Sequence, residues 1–167
     1  QIAALTATQI GGMGSTNLNA LTSTQMSALT TTQLKGLTLV QLQNLTDEDV
    51  GEFSSTQLGA LTAAQLNAIS TTNIAELTST QLQGLTTTQI GALTTSALAA
   101  LDADQIGSLS TTQIRGLSVN QLKGIAAGDF DKLTETQVKA LTSTQLGALS
   151  TTNLSSLTET EVQALDS

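Results

Sequence analysis

Apolar positions recur along this chain with a period of eight residues. When Leu5 is taken as position a of an octad lettered a to h, all 21 a positions carry apolar side chains, and so do all 21 f positions, which begin at Ile2. No insertion or deletion breaks the register, and the octad consensus is L-T-x-T-Q-[LI]-x-[AG]. A strict repeat of this kind is typical of solenoid proteins. The alternative, a disordered Thr/Ser-rich tract, would lack apolar positions in constant register.

Each octad carries the signals of a helix N-terminus. Position b is Thr or Ser in 17 octads and Asp at Asp102 and Asp166, and these residue types cap helices by accepting a free backbone N–H. Position e is Gln or Glu in 15 octads, which completes a capping box because this side chain reaches back to the N-cap amide. The predicted N-caps include Thr6, Thr22, Thr30, Thr78, Thr86 and Thr142, and the predicted capping-box glutamines include Gln9, Gln25, Gln33, Gln81, Gln89 and Gln145.

The charged residues and glycines give independent support. Ten of the 13 acidic residues lie at b to e, and all five cations lie at g or h, which is the distribution that the helix dipole favours. Eleven of the 13 glycines lie at g or h, where a helix ends and a positive φ costs glycine little. Together these signals predict one α-helix of five or six residues in every octad.

One such octad cannot be stable alone, because helix nucleation is costly and two buried aliphatic side chains do not offset the ordering of eight residues. We therefore predict an all-α fold: residues 1–167 form a single solenoid of very short helices, with a and f inside and c and g outside. A β-solenoid is the alternative, since Thr-rich repeats also suit stacked strands. Octads that are separated by ten octads depart from the consensus in similar ways. This similarity predicts a super-repeat of 80 residues. The number of octads in each coil does not follow from the sequence.

The composition excludes several classes of function. The chain has no Cys, His, Trp, Tyr or Pro, and its net charge is −8. Zinc, haem and iron–sulfur sites lack their usual ligands, Ser–His–Asp and Cys–His mechanisms lack their base, and nucleic-acid binding is disfavoured by the charge. No apolar run is long enough to span a membrane. We expect no enzymatic activity and no cofactor, and the start at Gln1 suggests a fragment or a processed product.

Two further activities are alternatives. Closely spaced aspartates could bind Ca²⁺ through carboxylate oxygens, and the candidates are Asp47, Asp49, Asp129 and Asp131. No complete calcium-loop motif accompanies them.

Thr-x-Thr arrays, such as that of Thr22 and Thr24, resemble the ice-binding faces of some antifreeze solenoids. Those faces need flat strands, whereas a Thr at position b is predicted to cap a helix.

The L-T-x-x-Q-[LIV]-x-[AG] octads resemble tandem repeats of very large bacterial surface or secreted proteins, which are commonly labelled adhesin-like, haemagglutinin-like or haem-utilisation proteins. The resemblance covers the whole chain. It implies an extracellular or cell-surface location and a structural role as a rod, a stalk or a filament-forming segment. The expected partner is the chain itself, through stacked repeats or homomeric association, beside an unidentified surface ligand; neither nucleic acid nor membrane insertion is expected.

Overall fold

The computed structural model describes residues 2–165, apart from the side chain of Ala164, and within them the protein has twenty α-helices and no strand. A 3-10 turn, Ile2–Ala4, precedes the first α-helix. The helices are α1 (Ala7–Gly11), α2 (Ser15–Leu18), α3 (Ser23–Ser27), α4 (Thr31–Lys35), α5 (Leu39–Gln43), α6 (Asp47–Gly51), α7 (Ser55–Ala60), α8 (Ala63–Ala68), α9 (Thr71–Ala75), α10 (Ser79–Gln83), α11 (Thr87–Ala92), α12 (Thr95–Ala99), α13 (Ala103–Gly107), α14 (Thr111–Gly116), α15 (Val119–Gly124), α16 (Ala127–Phe130), α17 (Glu135–Ala140), α18 (Ser143–Leu146), α19 (Thr151–Ser156) and α20 (Glu159–Leu165). The all-α prediction with one helix per octad is confirmed, and the β-solenoid alternative is wrong.

Extended residues at a and b separate successive helices. Between α7 and α8, Leu61 has φ −65° and ψ 149°, and Thr62 has φ −71° and ψ 158°. Because the b side chain then caps the next helix, the same two residues end one helix and start another. The helices contain four to seven residues, a slightly wider range than predicted. Asp166, an expected N-cap, lies outside the described residues.

The prediction that glycines lie at g and h because a positive φ is needed where the helices end is wrong. No residue in the described part of the chain, glycine included, has a positive φ. Some glycines are required instead by close approach between backbones. A Cβ on Gly59, in the last turn of α7, would lie 2.5 Å from the carbonyl oxygen of Gly84, whereas a Cβ on Gly51 would meet nothing within 4 Å. Glycine at g thus allows two chain segments to touch where a methyl group would not fit.

Helices stack on the helix three octads later, so one coil contains three octads, or 24 residues. The chain divides after Leu85 into two compact units. In the first unit α1 packs on α4, α4 on α7, and α7 on α10; α5 lies between α2 and α8, and α6 lies between α3 and α9. In the second unit α11, α14, α17 and α20 form one such series, α12, α15 and α18 a second, and α13, α16 and α19 a third. Within each unit, helices therefore contact the helices one coil away, as expected of a solenoid.

The core consists of the a and f side chains, as predicted. Leu34, Leu58 and Leu82 at f are completely buried, and Leu37 at a is 3% exposed. No c or g residue is buried among those that the structure describes. Most of the glutamines at position e are buried as well. Position e is therefore a third inward position, which the sequence pattern did not predict. None of the described helices is long and apolar enough to cross a membrane.

Candidate functional site: amide bridges between coils

The capping box fixes one end of the e side chain. At the start of α4, Gln33 Oε1 accepts hydrogen bonds from the Thr30 backbone N–H at 2.8 Å and from the Thr30 hydroxyl at 3.0 Å. In return, Thr30 Oγ1 accepts from the Gln33 backbone N–H at 3.2 Å. Both bonds of a capping box are also present in α1, α3, α5 to α8, α10, α11, α13 to α15, α17 and α18. The boxes at Thr6–Gln9, Thr22–Gln25, Thr30–Gln33, Thr78–Gln81, Thr86–Gln89 and Thr142–Gln145 are among them.

The other end of the same amide group binds the neighbouring coil. Gln41 Nε2 donates to the carbonyl oxygens of Ile10 and Met13, both at 2.8 Å. These carbonyls lie at the C-terminal end of α1 and at the a position that follows it. The carbonyl groups that end a helix have no partner within that helix. One glutamine therefore caps its own helix with Oε1 and an earlier helix with Nε2.

This contact recurs in both units at offsets of 28, 30 or 31 residues. We call the residues that make it the bridging glutamines: Gln33, Gln41, Gln57, Gln65 and Gln81 in the first unit, and Gln121, Gln137 and Gln145 in the second. Asn73 and Asn153 make a shorter version, each to a single carbonyl oxygen 28 residues earlier. The bridging glutamines are 2–6% exposed, so these hydrogen bonds lie beside the apolar core.

The sequence contained a signal for this bridge that the analysis missed. A capping box accepts Glu as readily as Gln, and the helix dipole favours an acid in the first turn. Position e nevertheless holds 14 glutamines and one glutamate. A carboxylate can accept from the N-cap but has no N–H to donate. The preference for the amide therefore indicates a second partner that is a hydrogen-bond acceptor.

The bridge is absent at Asp49, one of the proposed calcium ligands. Asp49 is 8% exposed, and its carboxylate accepts from the Thr46 N–H and hydroxyl. Among the described residues, no side-chain amide donates to the carbonyls of Leu18 and Leu21, which lie at the corresponding offsets of 31 and 28 residues. A cleft of about 340 Å³ lies here, lined in part by Asn19, Glu48 and Glu52. Asn19 Oδ1 is the one buried side-chain nitrogen or oxygen atom without a hydrogen-bond partner among the described residues.

The calcium candidates are not brought together. Asp47 is exposed in the first turn of α6; Asp129 is half-buried in α16, and Asp131 is exposed directly after that helix. In residues 2–165 no three acidic side chains form a cluster that could hold a metal ion. Calcium binding by Asp47, Asp49, Asp129 and Asp131 stays a prediction.

A second cleft, of about 310 Å³, lies beside two of the five cations. Arg115 and Lys139 line it together with Thr111, Thr112 and Thr136. The Nε–H of Arg115 donates to the carbonyl oxygen of Ala140 at 3.0 Å, and Lys139 pairs with Glu135 at 3.3 Å across one helical turn. Arg115 thus caps the C-terminus of α17 from the preceding coil, which is a structural role.

The sequence matches the family model of the ALTTAQ repeat over residues 1–31, 47–79, 63–95, 74–111 and 87–119. These overlapping matches cover more than half of the chain. The chain belongs to the ALTTAQ repeat family. No curated protein matches it.

The ALTTAQ motif spans positions h to e of the octad, and Ala60 to Gln65 read ALTAAQ. The structure gives each part of this motif a place: a small residue at h, an apolar side chain at a, the N-cap at b and the bridging amide at e. The family description names the repeat and no activity. The chain is accordingly a structural repeat protein.

Proposed function

We propose that this ALTTAQ array serves as an extended rod, either a stalk or a filament-forming segment, in a bacterial cell-surface or extracellular protein. In this role the array holds other parts of an assembly at a fixed spacing. The proposal assigns it no catalytic reaction, no cofactor, no nucleic acid and no insertion into a membrane.

The bridging glutamines carry this proposal. Gln65 Nε2 donates to the carbonyls of Leu34 and Lys35 at 3.2 Å and of Leu37 at 2.9 Å. Each such side chain fixes two coils to each other while its Oε1 fixes the start of its own helix. A load along the stacking axis would therefore be distributed over polar bonds in successive coils, in addition to the apolar contacts between them. Arrays of this kind gain length without a change in local packing.

The chemistry of the surface agrees with a passive role. The threonines at position d are exposed, and Thr32, Thr56 and Thr80 repeat at intervals of 24 residues on α4, α7 and α10. The N-cap residues at b, such as Thr30, Ser54 and Thr78, are held by their own helices, since their hydroxyls accept from backbone amides. Ice binding through Thr-x-Thr arrays stays a prediction, and this capping role leaves only the d hydroxyls for it.

Solution scattering tests the rod. A compact domain of 167 residues has a radius of gyration of about 15 Å, and a rod is expected to give a clearly larger value with helical minima in circular dichroism. The spectrum serves as the control, because an unfolded chain would also be large. A radius near that of a compact domain, measured on the helical protein, would contradict the proposal.

Protease treatment of intact cells that make the protein tests the location. Loss of the array is expected, and full protection would contradict a surface location.

A further inference from the structure

Two of the five cations of this acidic chain lie together on the side of the second unit. Arg115 and Lys139 both occupy position g, and they belong to α14 and α17, which stack in successive coils. Both line the cleft of about 310 Å³, which we call the basic cleft; its residues are Thr111, Thr112, Arg115, Thr136, Lys139 and Ala140. Because α11 stacks on α14 and α20 stacks on α17, the basic cleft opens to the side of inner coils and does not depend on where the chain begins or ends.

The guanidinium group of Arg115 is held in place while most of its donors stay available. Its Nε–H donates to the carbonyl oxygen of Ala140 at 3.0 Å, which fixes the group against α17. The two Nη atoms carry four further N–H donors, and no residue in 2–165 accepts a hydrogen bond from them. Paired N–H groups of this kind match the two oxygens of a carboxylate. The fixed orientation lowers the entropy lost when such a ligand binds.

The second cation is only weakly neutralised. Lys139 Nζ lies 3.3 Å from Glu135 Oε1, and the two side chains are 43% and 48% exposed. An exposed ion pair of this type contributes little free energy, so a bound anion can compete with Glu135 for the ammonium group. Within the described residues the lining of the basic cleft includes no acidic side chain. Together α14 and α17 carry Arg115, Lys139 and Glu135, a local charge of +1 in a chain of net charge −8.

Three hydroxyl groups line the remainder of the basic cleft. Thr111, Thr112 and Thr136 are not N-caps, since Ser110 and Thr134 cap these two helices. In the part of the chain that the structure describes, no side-chain hydrogen bond occupies these three hydroxyls. The volume lies at the lower end of the range for small-molecule sites and leaves room for more than a bare inorganic anion. A ligand body that carries hydroxyl groups would supply partners for the threonines.

We propose that the basic cleft binds a hydroxylated carboxylate, of which a sugar acid is the simplest example. The carboxylate binds the Nη donors of Arg115 and the ammonium group of Lys139, and the ligand hydroxyls bind the threonine hydroxyls. This inference adds one local ligand site to a surface that is otherwise passive. It does not depend on the proposed rod, because every residue of the basic cleft lies within α14 and α17.

Isothermal titration calorimetry with glucuronate, acetate and glucose tests the ligand class at constant ionic strength. Glucuronate is expected to bind one site per chain. Acetate, which lacks the hydroxyls, is expected to bind about tenfold more weakly, and glucose, which lacks the carboxylate, is expected to give no binding heat. The double variant Thr112→Val and Thr136→Val is expected to weaken glucuronate binding without changing acetate binding. No binding of glucuronate, equal affinities for glucuronate and acetate, or binding of glucose would overturn the inference.

Charge variants at exposed positions test the assigned cations. Arg115→Lys keeps the charge but loses the paired donors, and it is expected to weaken glucuronate binding about tenfold. Lys139→Gln is expected to weaken binding about threefold, whereas Glu135→Gln frees the ammonium group and is expected to strengthen it about threefold. The control is Lys123→Gln, which removes the same charge from position g of the neighbouring helix α15, outside the basic cleft. Its affinity is expected to stay within about twofold of the parent's.

Circular dichroism establishes that each variant keeps its helices, so a change in affinity is assigned to the site. An unchanged affinity in Arg115→Lys would overturn the inference. So would a loss in Lys123→Gln as large as that in Lys139→Gln, because binding would then follow the net charge of the chain and not the basic cleft.

Discussion

The side-chain amide of Gln41 donates to the carbonyl oxygen of Ile10 across 31 residues of sequence, at 2.8 Å. The opposite end of that amide accepts from the backbone of Thr38 at 2.8 Å. A single polar side chain therefore couples the start of α5 to the end of α1. An isolated helix of five residues is not stable, and this coupling joins it to the neighbouring coil in addition to the buried a and f side chains.

Gln41→Glu is expected to lower the free energy of unfolding by about 2–4 kcal/mol, because a buried carboxylate would replace an N–H donor next to two carbonyl oxygens. Denaturant titration measures this loss. Gln9→Glu is the matched control: its capping box is the same, but its side chain is exposed, and a change of less than about 0.5 kcal/mol is expected. Equal losses in the free energy of unfolding at both positions would show that the stability depends on the capping box and not on the bridge.

The same pair of variants has a pH signature. The new carboxyl group at position 41 would regain an O–H donor when it is protonated, and burial favours this protonated form in the folded state. The loss in the free energy of unfolding should therefore shrink as the pH falls through the carboxyl range. The exposed variant at position 9 is not expected to show this recovery. Denaturant titrations at pH 7 and pH 4 measure it, and a loss at position 41 that is the same at both pH values would contradict the donor argument.

Asp49→Gln is expected to add a bridge to the carbonyls of Leu18 and Leu21 and to raise the free energy of unfolding by about 1 kcal/mol. Asp47→Gln, two residues earlier in the same helix, removes an acid from an exposed first-turn position and is expected to cost about 0.3 kcal/mol. Thermal unfolding under identical conditions compares the two. A gain in the free energy of unfolding for Asp47→Gln, or no gain for Asp49→Gln, would contradict the inference that a bridge is missing at position 49.

Gly59→Ala is expected to destabilise the protein by about 1–3 kcal/mol, because the added methyl group would overlap the backbone of Gly84. Gly51 occupies the same octad position at the end of α6, and its substitution by Ala meets no neighbour. There the higher helix propensity of Ala is expected to leave stability unchanged or to raise it by up to about 1 kcal/mol. If both variants lose the same stability, close approach is not the reason for Gly59.

Thr30→Ala is expected to cost about 1 kcal/mol through loss of the N-cap of α4. Thr32→Ala, at exposed position d of the same helix, removes no cap and is expected to have no effect or to stabilise slightly. Helical signal against temperature gives both values. A larger loss at position 32 than at position 30 would contradict the assigned cap.

The short helices were predictable because their signals are local. Thr30 and Gln33 lie three residues apart, and the cap they form depends on no distant part of the chain. The three-octad coil was not predictable, because Gln41 meets Ile10 only after the chain has turned through a complete coil. The two glycines that fill the same octad position, Gly51 and Gly59, differ only in what the neighbouring coil places against them, which no local pattern records. The 80-residue super-repeat stays a prediction.

The bridging glutamines reach carbonyl groups 28 to 31 residues earlier in the chain, so each coil is matched to a neighbouring part of the sequence. An array that gains or loses one octad keeps its octad register and its capping boxes, because each box joins residues only three positions apart. Length is thereby a heritable variable that selection can adjust in small steps. Loss of a whole coil would shorten the protein and bring another octad to the same offset of three octads from each helix that remains.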